Sequence, residues 1–214
     1  MPALNVVKFY EDNGCYHVYN RGVEKREIFL DHQDYVVFLS YLKDYLCPDD
    51  VSSIKIFPSR KLKNYFESIS LLSYCLMPNH FHLQIRQSSR MAMACFMRSL
   101  LTRYSMYFNR KYRRIGGLFQ GNYKAVMITS EDQLVYLTRY IHRNPAPDNT
   151  SGCNLEVLKR YQYSSLANYL GEIKQSWVKC DEIIEIFSRL ENGSSYESFV
   201  SDEATSGCNL EVDW

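Results

Sequence analysis

The amino-acid sequence predicts an α+β protein, because short strand-like runs are interspersed with longer runs of helical periodicity. Residues 15–21 alternate in polarity and are rich in Tyr and Val, which is typical of a strand. Residues 69–77 and 80–86 are two further strand-like runs, and the Pro78-Asn79 turn signal between them predicts a hairpin. Two more strand candidates lie at 54–57 and 123–129.

Four segments have the periodicity of helices, and the one after Ser130 has the clearest boundaries. Ser130 and Gln133 stand three residues apart, as the N-cap and N3 residues of a capping box do. The helix should run to about Arg143 and end at Asn144-Pro145, because the residue before a proline resists helical geometry. The other three helical segments are 31–47, 91–109 and 181–190.

The chain length fits one domain with a tail. With 214 residues, of which 46% are hydrophobic, the composition is that of an ordinary globular protein, not of a disordered or fibrous one. We expect a principal domain over residues 1–171 and an acidic, partly helical extension over 172–214 that frays at its end. The octapeptide TSGCNLEV occurs twice, at 150–157 and 205–212, and no function is assigned to it.

Cysteine usage and hydropathy predict a cytoplasmic protein that does not contact a membrane. The seven cysteines are odd in number and scattered, without a C-x-x-C pair, which indicates reduced thiols rather than a disulfide framework or a zinc site. No apolar run approaches the roughly 20 residues of a membrane span. The first residues also lack the basic start and apolar stretch of a signal peptide.

Charge is strongly segregated along the chain, although the net charge is only +1. The 63 residues from Ser68 to Ser130 contain nine Lys or Arg and no Asp or Glu. Clustered cations without competing carboxylates are typical of a surface that binds a polyanion, and a solvated helix face is the alternative. The sequence therefore predicts nucleic-acid contacts from six basic residues: Arg103, Arg110, Lys111, Arg113, Arg114 and Lys124.

Two histidines in this window have the spacing of a chelating pair. In the predicted strand, His80 and His82 point to the same face about 7 Å apart, and Phe81 points to the opposite, buried face. Such a pair can hold a metal ion, but two partly exposed histidines on a solvated sheet face are the alternative at this point.

The capped helix carries a second candidate group, because Tyr136, Tyr140 and Asn144 recur every four residues and share one side of it. A tyrosine there is usually a core or interface residue, and an Asn before proline usually ends a helix. The combination with the histidines indicates chemistry, because a tyrosine hydroxyl has a pKa near 10 and attacks a phosphodiester only when the phosphate is polarised. A divalent ion held by neutral imidazole and amide ligands keeps its full charge for that task.

Five motifs together resemble a known family. They are YHVYNRG at 16–22, YCLMPNHFHLQI at 74–85, GGLFQGNYK at 116–124, RYIHRNP at 139–145 and YSSLANYLG at 163–171. In content and order they are similar to motifs of the HUH single-strand DNA transposases with one catalytic tyrosine, and nearest to the REP-associated tyrosine transposases. The resemblance extends from about Cys15 to about Gly171. The connection at 47–68 is longer than the motifs require, and 172–214 has only a weak counterpart.

The resemblance implies a fold and a mechanism. The fold is an antiparallel β-sheet of the ferredoxin-like or RRM-like HUH type, with the histidines on a central strand and helices packed on one face. His80, His82 and Asn144 would hold a divalent metal ion, Mg²⁺ or Mn²⁺. Tyr140 would attack single-stranded or hairpin DNA, giving a 5′-phosphotyrosine and a free 3′-hydroxyl. Relatives act as monomers, or as dimers with the tyrosine supplied in trans, so a homodimer stays open.

Two other function classes stay open from the sequence. A non-catalytic nucleic-acid-binding protein would keep the sheet and the basic surface, but it would have no need of His80, His82, Tyr140 and Asn144 together. A metal hydrolase built on the histidine pair is weaker, because the remaining histidines, at 17, 32 and 142, show no second chelating spacing.

Overall fold

The computed structural model describes residues 8–48, 62–146, 155–191 and 193–202. Four strands form one antiparallel sheet in the order β2-β3-β1-β4. The strands are β1 Cys15–Arg21, β2 Ile69–Met77, β3 His80–Gln87 and β4 Lys124–Ile128. The helices are α1 His32–Leu46, α2 Ala92–Lys111, α3 Glu131–Arg143, α4 Leu155–Arg160, α5 Leu166–Tyr169, α6 Asp181–Leu190 and α7 Tyr196–Ser201, with a 3₁₀ turn at Val23–Lys25.

The period of two along β3 sends its side chains to two differently covered faces of the sheet. Phe81 and Leu83 are buried in the main hydrophobic core, which α1 and α2 cover. The alternate residues His82 and Gln84 lie on the opposite face, where the Gln84 amide donates to the Leu134 carbonyl of α3 at 2.8 Å. The predicted α+β fold with an antiparallel sheet is confirmed, and the histidines lie on a central strand as expected.

The position of α3 differs from the expectation that helices pack on one face only. Leu137 and Ile141 of α3 pack against Cys75 of β2 on the histidine face of the sheet. The Thr138 hydroxyl donates to the Gln84 side chain at 2.7 Å on the same face. In a sequence, alternating polar residues of this kind usually indicate a strand face exposed to solvent. Here α3 covers that face, and its backbone and Thr138 supply the hydrogen bonds that the buried polar groups need.

The elements predicted from local pattern have nearly the predicted bounds. β1, β2 and α6 match their predicted ranges, and β3 and α2 differ at their ends by one or two residues. Asp31 caps α1 in a capping box, the Ser130 hydroxyl accepts from the Gln133 backbone N–H, and Asn144 is the C-cap of α3. The sequence does not predict α4, α5 and α7, which are too short to show a helical period. The strand candidate at 54–57, most of both TSGCNLEV copies and the predicted frayed end lie outside the described residues.

The C-terminal helices pack against α3. Arg139 of α3 donates to the Phe199 carbonyl at 2.6 Å, and both Arg139 and Arg143 donate to the Asp202 carbonyl. A second hydrophobic cluster joins the three helices: Leu134, Val135, Ile183, Ile186, Phe187, Phe199 and Val200. The helix that carries Tyr140 is therefore held between the sheet and the C-terminal helices, and the division at residue 171 stays a prediction.

In the described part of the chain, none of the helices has both the length and the apolar character that crossing a membrane requires.

Candidate active site

β3 places the two predicted histidines side by side. The imidazole rings of His80 and His82 lie on the face covered by α3, with their centroids 5.1 Å apart. His82 is fully buried and His80 is partly buried. Phe81 points the other way, into the main core. The alternating geometry of the strand therefore gives the pair its common face.

The last turn of α3 brings Tyr140 and Asn144 to this pair. The Tyr140 ring lies edge-on to the His82 ring, with centroids 5.5 Å apart. The Asn144 amide donates to the Tyr140 backbone carbonyl at 2.9 Å, which orients the side chain at the helix end. The same side chain lies close enough to the imidazoles of His80 and His82 and to the Tyr140 hydroxyl to influence the pKa of each. The structure thus brings these four sequence-predicted residues together.

Burial controls the protonation of these groups. It lowers the pKa of His80 to about 4 and the pKa of His82 well below its ordinary value, and it outweighs the opposing effect of Asn144. Burial likewise raises the pKa of Tyr140 to about 12. At neutral pH the imidazoles are therefore neutral, which is the form that binds metal ions, and the Tyr140 hydroxyl carries its proton.

Two residues that the sequence analysis did not assign support the histidine pair. His17 of β1 is buried, and its Nε2 lies 2.8 Å from Nδ1 of His82. Nδ1 of His80 lies 2.6 Å from Oδ1 of the neighbouring Asn79. Because these contacts hold Nδ1 of both rings, Nε2 is the nitrogen that each ring offers to the site, and both Nε2 atoms are buried.

The position of His17 beside His82 follows from the register of two strands that are distant in sequence. His17 and Tyr19 alternate with Tyr16 and Val18, which belong to the main core. Tyr19 pairs directly with His82, so His17 lies on the histidine face as well. The motif YHVYNRG therefore points to His17 only once the pairing of β1 with β3 is known.

The donor atoms fit a divalent metal ion bound by neutral ligands. Two neutral imidazoles and an amide oxygen can ligate Mg²⁺ or Mn²⁺, and the nitrogen ligands favour Mn²⁺. No three His, Cys, Asp or Glu side chains are grouped to hold a metal ion within the described ranges. The amide of Asn144, which lies beside the two histidines, is the candidate for a third protein ligand.

The six predicted DNA-contacting residues divide between the two faces of the molecule. Lys124 lies on the histidine face, because it pairs with Tyr19 and its Nζ lies 5.6 Å from the Tyr19 ring centroid. The other five belong to α2 and the turn after it, on the side of the main core: Arg103, Arg110, Lys111, Arg113 and Arg114.

Two of these five residues are engaged in ion pairs within the chain. Arg103 bonds to Asp44 at 2.8 Å. Lys111 bonds to Asp31 at 2.7 Å and to Asp34 at 2.8 Å. Arg110 and Arg113 are exposed.

Another cation, which the sequence does not point to, lies directly opposite one of the two histidines. Arg21 pairs with His80 across β1 and β3, and its charge contributes to the low pKa of His80.

The other tyrosine and the histidine of α3 point away from the pair. The Tyr136 ring packs against Phe199 of α7, with centroids 5.6 Å apart. His142 is buried, and its two nitrogens each lie 2.8 Å from a hydroxyl, one of Tyr196 and one of Ser165. His142 therefore connects α3 with neighbouring elements and takes no part in the candidate site.

Comparison with known proteins supports the resemblance that the motifs predict. The family model for IS200-like transposases matches residues 59–144, a range that includes His80, His82, Tyr140 and Asn144. The matched segment, about two fifths of the chain, is similar to the IS200-like transposases. No curated protein matches the chain.

Among solved structures, a REP-associated tyrosine transposase bound to a REP hairpin has a similar fold. Its TM-score is 0.53 and its identity 10%, over 83% of this chain and 98% of that one. A candidate transposase from Deinococcus radiodurans has a TM-score of 0.38 at 14% identity, over 66% of this chain and 95% of that one. The tRNA(His) guanylyltransferase of Saccharomyces cerevisiae has a TM-score of 0.39 at 12% identity, over 88% and 83%. The first of these agrees with the fold described above.

Proposed function

We propose that this chain is a cytoplasmic, metal-dependent strand transferase that cleaves and rejoins single-stranded or hairpin DNA. Tyr140 is the nucleophile, and His80, His82 and Asn144 are the ligands of Mg²⁺ or Mn²⁺. The observation that carries the proposal is the position of the Tyr140 ring, which lies edge-on to His82 with centroids 5.5 Å apart, beside the His80 and His82 pair. A purely structural histidine pair would not need a tyrosine and an asparagine at the end of one helix beside it.

The chemistry assigned to the chain begins at the Tyr140 hydroxyl. Its oxygen forms a bond to phosphorus while the bond from phosphorus to the 3′-oxygen breaks. The 3′-oxygen leaves as a hydroxyl, so a proton moves from the tyrosine to the leaving side. The product is a phosphotyrosine diester at the 5′ end, and a second hydroxyl can reverse the exchange without ATP because the number of ester bonds is conserved.

The neutral ligand set explains why an ion suits this site. A bound divalent ion supplies positive charge that polarises the phosphate. The Asn144 amide bonds to the Tyr140 backbone carbonyl and stabilises the helix end that carries the tyrosine, and burial by α3 limits the access of water to His82, whose side chain is fully buried. Arg21 and Lys124 lie on the same face and are placed to contact the anionic backbone.

The candidate site is complete within one chain. The two histidines come from β3 and the nucleophile comes from α3 of the same protomer. This arrangement favours cleavage in cis, with the tyrosine and the histidines supplied together, over exchange of helices in a homodimer.

The decisive test is the covalent adduct formed by single Tyr→Phe variants on labelled single-stranded hairpin DNA with Mg²⁺ or Mn²⁺. Tyr140→Phe should abolish the adduct and leave DNA binding nearly intact, because the ring is retained and only the hydroxyl is lost. Tyr136→Phe is the matched control on the same helix, and it should form the adduct because Tyr136 packs on Phe199. Normal adduct yield from Tyr140→Phe would refute the proposal, and loss in Tyr136→Phe alone would move the nucleophile one turn upstream.

A further inference from the structure

A groove of about 590 Å³ lies between α2 and the segment that leads into β4. Its lining includes Lys8, Arg98, Thr102, Asn109, Phe119 and Tyr123. The Tyr10 and Tyr123 hydroxyls are 2.8 Å apart and join the start of the described chain to the entrance of β4. The groove therefore has walls from three separate segments and is distinct from the histidine site.

The charge and chemistry of the groove suit a phosphate chain with bases. None of the described residues that line it is an Asp or Glu. Arg98 is exposed on α2, and Nζ of Lys8 lies 4.4 Å from the centroid of the Tyr123 ring. Cations beside aromatic rings are the combination that binds unpaired nucleic acid, because the cations contact phosphates and the rings stack on bases.

The groove and the candidate active site lie on either side of one sheet edge. β4 is the edge strand, and its first residue, Lys124, lies on the histidine face. Tyr123, the residue before it, lines the groove on the other side. Gln120 of the same segment accepts from Arg21, which pairs with His80. A DNA strand at the histidines on β3 has two strand spacings, roughly 10 Å, to cross before it reaches this edge and passes around it to the groove.

We propose that this groove binds an unpaired stretch of one or two nucleotides of the DNA whose phosphodiester lies at Tyr140. A cavity of this volume suits a ligand of small-molecule size, so it admits unpaired nucleotides and not a duplex. The inference rests on the proposed function only for the identity of the substrate. Recognition through stacking and phosphate contacts is tolerant of sequence, so the groove senses the presence of an unpaired segment.

The binding test uses the full chain carrying Tyr140→Phe, without added metal, and two hairpin oligonucleotides that differ only in an unpaired extension. Arg98→Gln should weaken binding of the extended hairpin and reduce the slope of log affinity against log salt by about 0.7, the value for one phosphate contact on a single strand. Affinity for the hairpin without extension should stay unchanged. Fluorescence anisotropy at four salt concentrations measures both.

A second pair of variants separates charge from shape. Thr102→Glu places a carboxylate on the exposed wall of the groove, and it should weaken the extended hairpin at least about fivefold relative to Thr102→Gln, because a like charge near 4 Å is repelled even in water. Gln33→Glu adds the same charge on exposed α1, outside the groove, and should leave both affinities unchanged.

Photocrosslinking identifies the occupant directly. A 4-thiothymidine in the extension should crosslink to the peptide that contains Phe119 and Tyr123. Crosslinks confined to the histidine face, or equal affinities for the Thr102→Glu and Thr102→Gln variants, would overturn the inference. A change in sedimentation of DNA-free Thr102→Glu would overturn it too, because the groove would then be a contact between two copies. None of these assays requires cleavage. Their results therefore test the groove even if Tyr140 proves not to form a covalent adduct with DNA.

Discussion

The contact between His17 and His82 links the protonation of two buried rings. With Nε2 of His17 at 2.8 Å from Nδ1 of His82, one ring must donate and the other accept, so the tautomer of each ring depends on the other. A ligating histidine is commonly held in this way through its second nitrogen. His17 is therefore a positioning residue for the proposed metal site.

Replacing His17 by Phe should weaken Mn²⁺ binding by about 10–100-fold, the usual cost of losing such an outer partner. DNA binding without metal should be unaffected. His17→Gln, which keeps a hydrogen-bonding side chain, should recover part of the affinity. Titration of Mn²⁺ by electron paramagnetic resonance measures all three proteins. Wild-type Mn²⁺ affinity in His17→Phe would show that His17 only fills space.

At the scale of helices, the start of α1 and the end of α2 are joined around a buried carboxylate. Burial alone would raise the pKa of Asp34, but hydrogen bonds from Lys111, the Leu30 backbone N–H, Tyr112 and Tyr107 outweigh burial and lower it. Lys111 also bonds to Asp31. The ion pairs of Lys111 therefore belong to the packing of the two helices, although the sequence predicts a contact with DNA for this residue.

The change Lys111→Met should lower the free energy of unfolding by about 1.5–3 kcal/mol, because a buried carboxylate loses a charged hydrogen bond. The neighbouring Arg110→Met, at an exposed position, should change it by less than about 0.5 kcal/mol. Urea unfolding of both variants measures the difference. If Lys111→Met kept its stability and lost DNA affinity, the original assignment of Lys111 to DNA would be right.

Elements with a complete local signal could be predicted from the sequence, and those that depend on distant partners could not. The alternation in β1 and β3 and the Ser130 cap of α3 depend only on neighbouring residues. The predicted bounds of these three elements therefore agree with the structure within one or two positions. The face on which α3 packs depends on Gln84, fifty residues upstream of Leu134, to whose carbonyl it donates. The sequence gives no local signal for the position of His17 for the same reason, since only the strand register brings it to His82.

At the scale of the whole molecule, several buried histidines make stability depend on pH. Burial lowers the pKa of His142 to about 3, and His17 and His80 are lowered to about 3 and about 4. In the unfolded chain these rings titrate near their ordinary value of 6.5. Between these limits the unfolded state binds more protons, so the stability present above pH 6.5 is lost as the pH falls toward 3.

The metal-free His142→Gln variant should therefore lose stability less steeply with acid than the wild type, by about 1.4 kcal/mol per pH unit between pH 6 and pH 5. Tyr196→Phe is the matched control, because it removes one hydrogen bond of His142 and keeps the ring. It should be less stable at every pH with the wild-type slope. Urea unfolding at several pH values measures the slopes, and equal slopes for His142→Gln and the wild type would contradict the assignment.

The bonds from Arg139 and Arg143 to the carbonyl of Asp202, just after α7, also determine which part of this protein should unfold first. Regions that share bonds tend to open together in local unfolding, and openings start where the chain is least held. An opening that starts near Asp202 reaches α3, the helix of the proposed nucleophile, through those two arginines before it reaches β3, which is bonded on both sides within the sheet. On warming, or after a protease nick near residue 202, the proposed DNA cleavage would stop while the sheet and its two long helices were still folded. Inactivation and denaturation are then separate events, and inactivation comes first.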